Sequence, residues 1–240
     1  MRHRYHIVKK EEKELSKEFY YDLSKKEMVW IIIIAIISSF ISFLPIIPDP
    51  IIIFSTLLIF FMILLVNFYA KKLGANIHSL KIEHKIWELT TVGFTKRSHF
   101  KKPIPIGLIL PFFISIFSLG NIKPYTFFQY EYENKSSRRM LKAVGWKKAL
   151  RKEYVNEYDF AMTAAYGFFS LIILTLIGYF IYFFDIKFGY DLAKFSIYYG
   201  LWNLVPVSNL DGAKVFFGSF IMWSFLIILF LISLALLFIV

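Results

Sequence analysis

Residues 203–212 read Asn203-Leu204-Val205-Pro206-Val207-Ser208-Asn209-Leu210-Asp211-Gly212, and they close an otherwise apolar membrane segment. Proline removes a backbone donor and clashes with the carbonyl four residues back, here that of Trp202. In hydrocarbon a freed carbonyl needs another partner, and Asn203 is placed to help supply one. Asp211 is an ionisable group at a membrane boundary, where such groups mark function by default. The bland alternative is a helix ending at the interface in an Asn-Leu-Asp-Gly turn, with Gly212 in the left-handed conformation.

Working outward, the 240 residues are 58% hydrophobic with mean hydropathy +0.58. Several runs approach the ~20 apolar residues that span a bilayer. The fold class expected is an all-α polytopic membrane protein of five to six transmembrane helices, with a small cytoplasmic or membrane-associated β-hairpin. The charged first 27 residues do not read as a cleavable signal. The absence of cysteine removes disulfides, thiol nucleophiles and thiolate metal sites. The net charge of +11 concentrates in loops, where it sets orientation and meets anionic lipid, so nucleic acid is not an expected partner.

The chain divides into a charged cytoplasmic arm (1–27) and one transmembrane domain (28–240). Glu14 and Glu18 lie near Lys10 and Lys17, as on a solvated helix. Ser24 and Glu27 form a capping box ahead of the first apolar run. Spans are expected at about 28–47, 51–69, 160–184, 191–207 and 215–240, with Lys71 and Lys72 ending the second. Leu80–Ile86 and Phe128–Glu133 alternate with period two and read as strands, on one side of the bilayer if they pair. The segment 104–120 is apolar but carries Pro105 and Pro111. The basic stretches 71–102 and 121–158 flank it and both belong in the cytoplasm. It therefore reads as re-entrant or interfacial, with a sixth crossing as the alternative. After Ser136 or Ser137 a short basic helix carries Ala143, Trp146, Leu150 and Tyr154 on one face, suited to the inner leaflet.

This layout resembles the site-2 protease family of intramembrane zinc metalloproteases (peptidase M50). The matching residues are Asn203, Pro206, Leu210, Asp211 and Gly212, together with Ala70-Lys71-Lys72-Leu73-Gly74-Ala75, which is similar to the tail of the family's His-Glu-x-x-His helix. The strand at 80–86 matches the family's membrane-associated β-segment, and Tyr166-Gly167-Phe168-Phe169-Ser170 is the nearest counterpart of its Gly-Pro-x-x-Asn motif. Counting back from Ala70 puts the catalytic motif on Met62-Ile63-Leu64-Leu65-Val66. Zinc needs two imidazoles one helical turn apart and a carboxylate base between them, and none of these is present. The resemblance thus implies a degenerate member with no catalytic residues, no metal and no cofactor. Its remnant site would be Asn203, Pro206, Asp211 and Gly212, faced by Met62 and Val66. Asp211 would be neutralised by hydrogen bonds or sit in wet headgroup space.

The histidines His3, His6, His78, His84 and His99 read as surface or interfacial. His84 shares the apolar side of its strand with Leu80, Ile82 and Ile86, and His78 is too distant along the chain to share an ion with it. Three functions compete. The first is a protein without proteolytic activity that binds or regulates other membrane proteins, its partners being the bilayer and a transmembrane segment. The second is an active intramembrane protease with atypical ligands. The third is a small-solute or ion transport component. The location expected is a prokaryotic cell membrane, multi-pass, with the N-terminus in the cytoplasm.

Overall fold

The computed structural model describes residues 23–44, 48–78, 80–91, 99–134 and 156–239. Glu14, Glu18 and the basic helix after Ser136 lie outside the described residues. Helix α1 (Lys25–Phe43) starts at the expected box, with the Ser24 N–H donating to Glu27 at 2.8 Å. Helix α2 (Pro50–Ile77) opens with proline in its first turn, where a missing N–H costs nothing. It does not stop at Lys71 but runs on to Ile77. Helix α4 (Glu157–Tyr182) has a second capping box, Asn156 with Asp159. Helix α5 (Lys187–Leu204) ends two residues before Pro206, as the restriction on the residue before proline requires.

The segment expected as one span at 215–240 is two helices, α6 (Asp211–Gly218) and α7 (Phe220–Ile239), broken by the extended Ser219. Four helices, α1, α2, α4 and α7, are long and apolar enough to cross a membrane. Five to six were expected. The 18 residues of α5 carry Lys187, Asp191 and Lys194, which make it more polar than these four.

Strand β1 (Leu80–Ile86) pairs antiparallel with β4 (Phe128–Asn134), Leu80 opposite Asn134 and Ile86 opposite Phe128. The two period-two segments therefore do pair. Between them lie β2 (Leu89–Thr91) and β3 (His99–Ile104), which pair with each other, and helix α3 (Ile106–Phe117). At 12 residues, α3 reaches about 18 Å against a hydrocarbon core of about 30 Å, short of the sixth crossing. The N–H of Gly107 donates to the Trp87 carbonyl, and the N–H of Trp87 to that of Phe127, each at 2.8 Å. These two bonds tie α3 to the sheet.

The core runs between these layers. Phe60 packs on Tyr125 (ring centroids 5.1 Å) and Phe195 (4.8 Å), and Phe68 meets Phe128 edge-on at 4.8 Å. Residues 124–130 are buried without a break, although 122–127 are neither helix nor strand. Irregular backbone at such a place is tolerated only where protein satisfies its polar groups.

Candidate functional site

Two buried polar clusters sit at neighbouring positions on the last turns of α2. In the first, Lys71 forms an ion pair with Asp211, both side chains 3% exposed or less. Asp211 is also the first residue of α6, where the helix dipole favours negative charge. Among the described residues its other oxygen, Oδ1, has no hydrogen-bond partner. Asn67, one turn before Lys71, donates from Nδ2 to the Gly167 carbonyl at 3.0 Å. A side chain at Gly167 would stand 2.6 Å from Lys71 Cε and 3.0 Å from Asn67 Nδ2. The missing Cβ therefore makes room for both groups between α2 and α4.

Lys214 follows Asp211 by one turn of α6. Its Nζ donates to the Tyr130 carbonyl at 2.6 Å and lies 3.2 Å from the centre of the Tyr130 ring. Burial pushes its ammonium down to about 7, with Asp211 opposing that shift and Lys71 adding to it. Asp211 is thus ion-paired with Lys71 and also acts through space on the Lys214 ammonium.

In the second cluster, Glu27 accepts four hydrogen bonds. They come from the Ser24 N–H (2.8 Å), Lys72 Nζ (2.6 Å), the His84 N–H (2.9 Å) and His84 Nδ1 (2.9 Å). A carboxylate acceptor fixes the imidazole proton on Nδ1. The ring stacks on Phe68 with centroids 3.7 Å apart and planes 11° from parallel. Burial lowers the His84 pKa to about 4, partly offset by Glu27, so the ring is neutral at physiological pH. His84 is on the apolar side of β1 as its strand pattern implied, but it is 3% exposed and not a surface histidine. His78, which closes α2, is half-buried, with Nδ1 at 3.1 Å from Asp159.

The remnant residues fall in different places. Asn203 is buried and donates from Nδ2 to the carbonyls of Tyr125 (2.9 Å) and Tyr199 (2.8 Å). Its expected partner was the Trp202 carbonyl. Instead it satisfies its own helix one turn back and ties the irregular 122–127 segment to α5. Pro206 is exposed, and the left-handed residue of this turn is Ser208 (φ 51°). Gly212 is helical; its role is contact, because a Cβ there would collide with the Leu204 backbone.

Met62 and Val66 are half-buried. At 100° per residue they stand about 180° and about 140° around α2 from Lys71, whereas Asn67 is only about 40° away. The side chains that α2 brings to the site are therefore Asn67 and Lys71, not Met62 and Val66. Asp211 is neutralised by a cation and not by headgroup water.

Sequence reading missed Lys71, Lys72, Glu27, His84 and Lys214 as members of buried clusters. The signal available was a lysine pair within a helix whose apolar neighbours, Phe68 and Ala75, continue past it. Among the described residues no three His, Cys, Asp or Glu side chains gather as a metal-ligand set. Comparison with protein-family models, with curated proteins and with solved structures finds no match to this chain.

Proposed function

We propose that this chain is a site-2-protease-like integral membrane protein without proteolytic activity, which binds or regulates other membrane proteins. The observation that carries this reading is the buried Lys71–Asp211 pair. A carboxylate closed by an ammonium group is not free to take a metal ion. The α2 face beside it offers an amide and an ammonium one turn apart, where zinc chemistry calls for two imidazoles. Phe68 lies between them, and a phenyl ring cannot act as the base that deprotonates a metal-bound water.

In this reading α5 is a fifth span, whose charged residues cluster in its outer half, and α3 stays on the membrane side of the sheet without crossing. The N-terminus, the sheet and Asp211 share the cytoplasmic side. A transport role is less well supported. Both ionisable clusters are tethered to residues 71, 72 and 84, at one end of the helices.

The test is purification in mild detergent, followed by zinc analysis and incubation with model transmembrane substrates. Site-directed photo-crosslinking in cells complements it. The expectation is substoichiometric zinc, uncut substrate and crosslinks to another membrane protein. One zinc per chain, lost on Asp211→Asn together with substrate cleavage, would overturn the proposal.

A further inference from the structure

Far from these clusters, a cavity of about 450 Å³ opens between the C-terminal end of α1, residues 120–125 and α5. Ser42 on its rim lies at the other end of α1 from Glu27, about 22 Å away at 1.5 Å per residue. Among the described residues two cations line it, Lys123 and Lys194, and no carboxylate does. Lys123 donates one hydrogen bond from Nζ among the described residues, to the Ser42 carbonyl at 2.5 Å, out of the three an ammonium group can make. Burial and the nearby Lys194 both lower its pKa, as for two like charges facing one space. Among the described residues Lys194 has no hydrogen bond or ion pair. Asp191, three residues earlier on α5, feels its charge but does not line the cavity.

The rest of the lining has another chemistry. Lys194, Tyr198 and Trp202 recur every four residues along one face of α5, so the cavity follows that helix for about 12 Å. It is cationic at the Lys123–Lys194 end and aromatic toward Trp202. A phosphate at the first end would satisfy the two ammonium groups. An apolar chain would lie along the second.

We propose that this cavity binds an anionic, phosphate-bearing headgroup carried on an apolar chain. The inference is independent of how Asp211 is read, since no residue is shared.

The experiment is native mass spectrometry of the full chain released from detergent, with phosphatidylglycerol or phosphatidylcholine added. Wild type is compared with Lys194→Gln, Lys123→Gln/Lys194→Gln and the surface control Lys85→Gln. The Lys194→Gln variant breaks no hydrogen bond, so its fold, checked by circular dichroism, is retained even if the double variant fails. The expected result is retention of phosphatidylglycerol over phosphatidylcholine by about thirtyfold. That preference falls severalfold in Lys194→Gln and is unchanged in Lys85→Gln. An added arm with millimolar inorganic phosphate separates the sources. Resistance of the bound lipid to phosphate upholds the proposal, and its displacement, which assigns the site to a free anion, would overturn it. Equal retention of the two lipids by wild type, or an unchanged preference in folded Lys194→Gln, would overturn it.

Discussion

At the residue scale the molecule is governed by how it handles buried charge. Removing one member of a buried ion pair leaves the other uncompensated, at a cost of about 3–5 kcal/mol, whereas replacing both by apolar groups is often neutral or better. Lys71→Met is therefore expected to lower stability by that amount in a denaturant titration. Lys71→Met/Asp211→Leu should recover most of the loss, and additive losses would show that the two side chains do not interact. His84 supplies a pH signature. The unfolded ring titrates near 6.5 and the folded one at about 4. Between those values the unfolded chain binds a proton that the folded chain refuses, so stability rises with pH across this window. Acidification from pH 6.5 to 4 should thus destabilise the protein, and His84→Gln should flatten that dependence. A wild-type profile unaffected by the substitution would contradict the burial of a neutral ring.

Elements meet here at places where a side chain is absent or makes two hydrogen bonds to backbone. A methyl group on Gly212 would collide with the Leu204 backbone. Overpacking of this kind costs about 1–3 kcal/mol when neighbours can shift, and main chain shifts less readily than a side chain. Gly212→Ala should accordingly lower the melting temperature more than an alanine at exposed Ser208. Asn203→Leu removes the Nδ2 donor that serves Tyr125 and Tyr199; the Tyr199 carbonyl keeps its helix bond, whereas the buried Tyr125 carbonyl loses its tie to α5, at about 1–3 kcal/mol. Hydrogen exchange should then rise in residues 122–128 first; protection unchanged there would refute the tether. The strands were legible because a period of two is a local property of 80–86 and 128–133. The break at Ser219 was not, since it lies in an unbroken apolar run that reads as one span. The Ser24–Glu27 box was legible for the same local reason. The His84 contact, 57 positions further along, depends on where the sheet docks and leaves no mark in the sequence around either residue.

For the whole molecule, composition announces the membrane, and four helices fit that role. The fifth span and the orientation rest on the placement of charge. Because the chain has no cysteine, single cysteines can be introduced directly. In the proposed orientation the α4–α5 turn lies outside, so a cysteine at Asp185 should react with a membrane-impermeant maleimide in intact cells, and one at Lys81 should not. Labelling at both positions would remove the five-span arrangement. The candidate site was only half legible. Asp211, Asn203 and the Pro206 break stood out because polar and helix-breaking residues are rare in apolar surroundings. Lys71 was read as a span end, since a long cationic side chain usually snorkels outward; here Gly167 opens a space that turns it inward.

Lys71 stands on the α2 face beside Asp211 and pairs with it, and in the proposed reading it takes the place of a metal ion there. Zinc per chain, measured on purified wild type, Asn67→His/Lys71→His and Met62→His/Val66→His, tests this most directly. The account predicts about one zinc for the 67/71 variant, as two imidazoles one turn apart and a carboxylate make a competent set, and none for the other two proteins. Stoichiometric zinc on wild type, or on the 62/66 variant and not the 67/71 variant, would contradict it.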